Sequence, residues 1–189
     1  LNIFFIQFSN AEDIKDYEIE GISIGDSALD HFTITELNKS LDVFYYTNKK
    51  YVYYFRESKE NEKYKYIQFT VKNGDPKYII KDIQGHIFYQ NNIDKCFKDL
   101  SEIAKSLEDA LNLKAQKDSG IHPMDVTGKS KYVRYSFFFD NQNTAEIICF
   151  DMSKEMEDKN KDDRLTLTLS TSEFNKFLRN EHYKKWFYI

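Results

Sequence analysis

Long apolar runs, concentrated positive charge and clustered metal ligands are all scarce in this 189-residue chain, and each scarcity removes a class of function. Beyond the first residues, no stretch approaches the roughly 20 apolar residues that a helix needs to span a bilayer. Lysine and arginine number 27 against 31 aspartate and glutamate, a net charge of -4, and lysine alternates with acid along much of the chain. Such a surface repels phosphate backbones, so no nucleic-acid partner is expected. The four histidines, His31, His86, His122 and His182, stand singly, without a second ligand at zinc spacing. No metal centre and no cofactor are expected. With no internal repeat, low-complexity linker or break in composition, one domain is the natural reading.

Cysteine is scarce too, at two residues. Cys96 falls on the apolar stripe of a predicted helix and Cys149 within a predicted strand, so both should reach the core, and only one pairing exists. A Cys96–Cys149 bridge is expected, with a loop-closure contribution of about 4 kcal/mol. Disulfides persist outside the cytosol. The opening LNIFFIQFSNAED agrees: an uncharged apolar run ends in Ser9-Asn10-Ala11, a small-x-small cleavage pattern, ahead of Glu12-Asp13. Residues 1–11 read as the remainder of a signal peptide and 12–189 as a single periplasmic or secreted domain. A first β-strand over Asn2 to Phe8 is the competing reading. The 14 tyrosines and 16 phenylalanines would suit a stacking platform. They accompany abundant Lys, Asn and Ile, however, the set that A/T-rich codons produce.

What is present in quantity is alternation. Residues 42–89 read as four strands, with turns at Asn48-Lys49-Lys50 and Asn73-Gly74-Asp75-Pro76. Ile67, Phe69 and Val71 share one face of the third strand, and Gly85 in the fourth marks a natural place for a bulge. From Asn92 the period changes: Ile93, Cys96, Phe97, Leu100, Ile103, Leu107 and Leu111 form the stripe of an amphipathic helix, with Asn92 as its cap and Gly120 a little beyond its end. KYVRYSFFF, AEIICFDM and RLTLTLS then read as three more strands, with Thr166 and Thr168 facing solvent, and a short helix follows over Ser172 to Leu178. The expected fold is α+β: an antiparallel sheet of about seven strands in two hairpin groups, packed on one long central helix, with short helices at both ends.

The segment GISIGDSALDHF, residues 21–32, carries two nucleophile-like strings. Gly21, Ser23 and Gly25 resemble the G-x-S-x-G elbow of α/β-hydrolases. Gly25, Asp26, Ser27 and Leu29 resemble the opening motif of GDSL hydrolases. The first resemblance implies several strands before the serine, and the second a parallel sheet with a late Asp-x-x-His. His182 has Arg179 at the Asp position, and the strands read as hairpins. The segment instead reads as backbone bends at Gly21 and Gly25, an Asp26 cap on a short helix holding Ala28, Leu29 and Phe32, and a capping box from Thr33 to Glu36. A similar GI-x-[IL]-G loop opens a short helix in exported β-lactamase-inhibitor-like and outer-membrane-assembly lipoprotein folds.

Other strings fall short of their chemistry. Thr127-Gly128-Lys129-Ser130 resembles the end of a P-loop, but Pro123 stands where that motif needs Gly and a strand follows. Asp158, Asn160 and Asp162 match the first half of an EF-hand loop, while Asp163 replaces its Gly and Leu169 its bidentate Glu. That leaves a solvated loop, or at most a weak calcium site. Asp82 and His86 share the strand face opposite Ile83 and Ile87 and read as a solvent-facing polar pair, with an acid–base role as the alternative. Residues 117–130, with His122 and Asp125, form the longest connection without a core pattern, a place where polar loops carry function. With no convergent catalytic set, the expectation is a non-enzymatic binding module for a protein or small-molecule ligand. The alternative is a small secreted serine hydrolase using Ser27 or Ser23.

Overall fold

Period-two alternation yields strands wherever it was read, and these seven join one more in a single eight-stranded antiparallel sheet of order β1-β2-β3-β4-β8-β7-β6-β5. The computed structural model describes residues 14–40, 42–58, 63–90, 92–122, 125–158 and 161–183. The expected leader, residues 1–11, and its cleavage junction lie outside them. The strands are β1 (Asp42–Tyr45), β2 (Tyr51–Glu57), β3 (Tyr66–Lys72), β4 (Ile80–Phe88), β5 (Gln116–Ile121), β6 (Lys131–Phe138), β7 (Thr144–Asp151) and β8 (Arg164–Ser170). β1 to β4 form one meander. Helix α2 (Ile93–Leu111) then carries the chain to the far edge, and β5 to β8 meander back until β8 pairs with β4 at the centre.

The eighth strand is the one the sequence conceals. β5 occupies the first part of the 117–130 connection, where QKDSGI lacks an apolar pattern because an edge strand here leaves both faces wet. Gly120 therefore sits in β5 and does not cap the helix. Asn112 ends α2 instead, in the left-handed conformation at φ 50°. At the other end Asn92 accepts the amide of Lys95, as its place before the apolar stripe implies.

Helix α2 lies chiefly against β7 and β8. Its 19 residues span about 28 Å at 1.5 Å per residue, and it does not cover the whole sheet. The Cys96–Cys149 disulfide fixes its first turn to β7, both sulfurs being fully buried. Tyr89 and Lys95 both donate to Asp99, which moors the same end to the chain leaving β4. The N-terminal segment covers the β2–β4 half of this inner face. Ile14, Ile19, Ile22, Ile24 and Ala28 join the same core, and Phe32 stacks on Phe69 at 5.3 Å. Helix α1 (Ile34–Asn38) follows, opened by the expected Thr33–Glu36 capping box.

Two features of β4 depart from the sequence reading. The bulge lies where Asp82 pairs with Thr70 and Ile80 with Val71, leaving Lys81 unmatched, and not at Gly85. Gly85 is regular and makes room for an aromatic ring. A Cβ there would sit 2.5 Å from Tyr64 Cδ1, so the bare backbone is the floor on which the buried Tyr64 ring packs.

Helices α3 (Lys154–Glu157) and α4 (Ser172–Phe177) complete the fold, the latter running into a π-helical turn over Leu178–His182. α4 lies on the outer sheet face, where Phe174 and Phe177 close over Tyr46 and Tyr51 in a second core. Glu173 binds Lys72 at 2.6 Å and Lys81 at 3.3 Å, anchoring the helix to β3 and β4.

Gly85→Ala is expected to lower stability by about 1–3 kcal/mol, the usual cost of overpacking, read as a reduced urea midpoint. Because Tyr64 supplies the clash, Tyr64→Ala should be less damaging in the Gly85→Ala background than in the wild type. Purely additive effects would contradict the packing account.

Candidate functional site

The two serines that opened the catalytic question are both held in backbone structure. Glu20 and Gly21 have positive φ, 53° and 74°, and form a two-residue turn in which Ile19 and Ile22 exchange both backbone hydrogen bonds. Gly25, at φ 96°, is the third residue of a second turn, closed by Asp26 N–H donating to the Ser23 carbonyl. The buried Ser23 hydroxyl reaches the carbonyls of Lys15 at 2.7 Å and Tyr17 at 2.6 Å, and its amide donates to Asp26 Oδ2 at 2.8 Å. Ser27, not Asp26, caps the helical turn Ala28–Asp30. Its hydroxyl donates to the Lys77 carbonyl at 2.7 Å and accepts the Leu29 amide. His31 contacts Asp26 at 3.3 Å, and among the described residues no hydrogen bond links it to either serine. The glycines and serines of the motif thus serve two tight turns, a cap and the docking of this segment beside β4.

The loop candidates resolve similarly. Asp125 is buried and accepts from the amides and hydroxyls of Thr127 and Ser130, at 2.6–2.9 Å. These hydrogen bonds, those of Ser130 foremost, hold its carboxyl well below the usual range. Asp125 is the knot of its loop. Asn160 lies outside the described residues. Asp158 closes α3, and Asp162 is exposed with its carbonyl toward Arg164. No cluster of metal-ligating side chains occurs among the described residues.

Asp82 and His86 depart most from expectation: both are buried, at 1% and 6% exposure. They do not meet. Gln84 separates them along β4, and four residues of strand place them about 13 Å apart. Asp82 accepts from Ser170 Oγ and from Gln84 Nε2 under the α4 side of the outer face. Burial, with a smaller contribution from Glu146, pushes its carboxyl up to about 7. His86 Nδ1 lies 3.1 Å from Thr166 Oγ1, and its Nε2 is buried without a hydrogen-bond partner among the described residues. Burial and the Arg164 charge push this imidazole down to about 3, so it is neutral at physiological pH.

Register shows what surrounds His86. Tyr66, His86, Thr166, Ile148 and Arg134 form one cross-strand row, and Phe88, Arg164, Phe150 and Tyr132 form the next row on the same face. Here α4 does not reach, and Phe55, Tyr66, Phe88, Tyr132, Ile148, Phe150 and Arg164 are all half-buried. The Arg164 guanidinium lies 4.6 Å from the Phe150 ring centre and, among the described residues, donates once, to the Asp162 carbonyl at 3.3 Å. Burial lowers its pKa to about 10, against the opposing charges of Asp162 and Asp163. Arg134, two strands away, differs: Asp118 takes it in a fork of two 2.8 Å hydrogen bonds. His122 packs edge-on against the far side of Phe150 at 5.3 Å. The 117–130 segment thereby contributes to this surface, though through His122 and not as a free loop.

Sequence alternation placed these residues on one face but read that face as wet. A signal was available in the aromatic residues at the outward positions of β2, β3, β4, β6 and β7 and in the arginines at those of β6 and β8, where a solvated face usually carries short polar side chains. No family model matches the chain, and neither a curated protein nor a solved structure shows detectable similarity to it.

Asp82 and His86 give the pH dependence of stability a definite form. Asp82, raised from 3.8 to about 7, contributes stability that is present below pH 3.8 and lost as pH rises through 7. His86, lowered from 6.5 to about 3, contributes stability that is present above pH 6.5 and lost as pH falls through 3. Between 3.8 and 6.5 the two slopes oppose, each on the order of 1 kcal/mol per pH unit. In this window, relative to the wild type, His86→Gln should lose stability as pH rises and Asp82→Asn should gain it. Urea unfolding across pH reads the three profiles, and parallel profiles would refute the assignment.

Proposed function

We propose that this chain is a non-enzymatic binding domain acting outside the cytosol, and that its ligand surface is the open end of the outer sheet face. The observation that carries the reading is the pair of rows around His86 and Arg164. Aromatic rings, an isoleucine and a guanidinium lie side by side there, half-buried, on the central part of the sheet. α2 and the N-terminal segment close the inner face and α4 closes the other end of the outer one, while Val43, Phe44 and Tyr45 on the edge strand β1 and Phe138 at the end of β6 stand more exposed than these rows. A partly apolar surface with a few fixed polar groups is the usual composition of a small-ligand or peptide site. The buried disulfide supports work in an oxidising compartment. The hydrolase alternative draws no support from Ser23 or Ser27, whose hydroxyls serve backbone carbonyls and caps.

A fluorophosphonate probe should leave the purified protein unlabelled, and labelling abolished by Ser27→Ala or Ser23→Ala would end the binding-domain reading. The neutral aromatic probes indole and benzamide should shift backbone amide resonances of residues 86–88, 148–150 and 164–166 in a two-dimensional NMR titration. Shifts confined to residues 21–32 would place the site elsewhere.

A further inference from the structure

Arg164 and His86 are diagonal neighbours across the β4–β8 pair, a separation of about 7–8 Å that long side chains bridge. Both carry hydrogen-bonding capacity that the described residues do not use. Arg164 has five N–H donors, of which one finds a protein acceptor, and it forms no ion pair among the described residues. A guanidinium withdrawn from water onto a ring, with its fork unfilled, is a site arranged for a planar oxyanion. The contrast with Arg134 is internal to the same sheet face: there Asp118 fills the fork.

Resting on the binding-face reading above, we infer that the Phe88–Arg164–Phe150 row is a subsite for an aromatic carboxylate. The guanidinium takes the carboxylate, the two rings flank the ligand's apolar body, and His86 supplies a second hydrogen bond. If Thr166 donates its hydroxyl hydrogen to Nδ1, the neutral imidazole carries its proton on Nε2, a buried donor that a carboxylate oxygen would satisfy once a small side-chain shift admits it. Lys65, whose Nζ stands 5.2 Å from the Tyr66 ring and 5.6 Å from that of Phe88, adds positive charge at the rim. Asp162 and Asp163 work against it. Asp163 is engaged by the Met152 amide at 2.7 Å, and Asp162 is exposed, so both are less effective than the forked contact they oppose.

The test is an NMR titration of the full chain with benzoate and, separately, with its neutral isostere benzamide, repeated for Arg164→Gln, Arg164→Lys and His86→Phe. Benzoate should shift the resonances of residues 86, 88, 150 and 164 and bind at least tenfold more tightly than benzamide. Arg164→Gln should remove that tenfold preference, with benzoate losing far more affinity than benzamide. Arg164→Lys, which keeps the charge and loses the fork, should remove most of it, and His86→Phe should weaken benzoate several-fold. Equal affinity for the two probes, or a benzoate affinity indifferent to Arg164→Gln, would overturn the carboxylate subsite and leave the open face as a neutral aromatic site. If neither probe disturbs these residues, the binding-face reading itself fails and the subsite falls with it.

Discussion

The pairing of β4 with β8 is the constraint on which the rest of the molecule depends. Each half of the chain is a four-stranded meander, and the seven residue pairs from Asp82–Ser170 to Phe88–Arg164 are what make one sheet of the two. This seam is buried on both sides. Ile83, Leu165, Leu167 and Leu169 face the inner core, while Asp82, His86, Thr166, Thr168 and Ser170 are buried on the outer face. Polar groups placed there must find partners within the seam, since an unpaired buried polar atom is expensive. Asp82 finds Ser170 and Gln84, and His86 finds Thr166 for one of its nitrogens. On the outer face of the seam burial accordingly pushes a carboxyl up, at Asp82, and an imidazole down, at His86.

Covering the two faces takes three different devices. On the β7–β8 side of the inner face, α2 is fixed by the disulfide and by Tyr89, Lys95 and Asp99. On the β2–β4 side, a segment with little regular structure does the same work. Its two tight turns, its Ser23 staple and the backbone bonds from Gly25 and Ala28 to the β4 approach hold five apolar side chains in place. On the outer face, α4 covers only the end nearest Tyr46 and Tyr51. The other end, over which none of the described helices lies, holds the aromatic and guanidinium rows, so site and scaffold are consecutive stretches of the same strands. A ligand there would contact the central strands themselves.

Much of this was legible from residue order, and the failures have physical causes. Seven strands, the α2 stripe, the Asn92 cap, the Thr33–Glu36 capping box and the Cys96–Cys149 pair each follow from a local pattern that tertiary structure did not override. β5 was hidden because alternation reports a buried face, and this edge strand scarcely has one. Asp26 and Ser27 are adjacent cap formers, and the choice between them was settled by the Lys77 carbonyl, fifty residues on in the sequence. The outer face was misjudged for the same kind of reason. Period two states which residues share a side, as it did for His86, Thr166 and Thr168, but not what lies over that side. No motif announced the Arg164 row, which exists only once β4, β8, β7 and β6 stand in register.

Native-state hydrogen exchange measures the central constraint most directly. If the β4–β8 seam holds the two meanders in one cooperative unit, the amides of Ile83, Gly85, Ile87, Leu165, Leu167 and Leu169 exchange only through global unfolding. Their opening free energies then equal the stability from urea unfolding, and both meanders converge on that value as denaturant is raised. Seam amides that exchange through a lower-energy opening, with one meander retaining its protection, would show that the halves fold separately and would contradict the account.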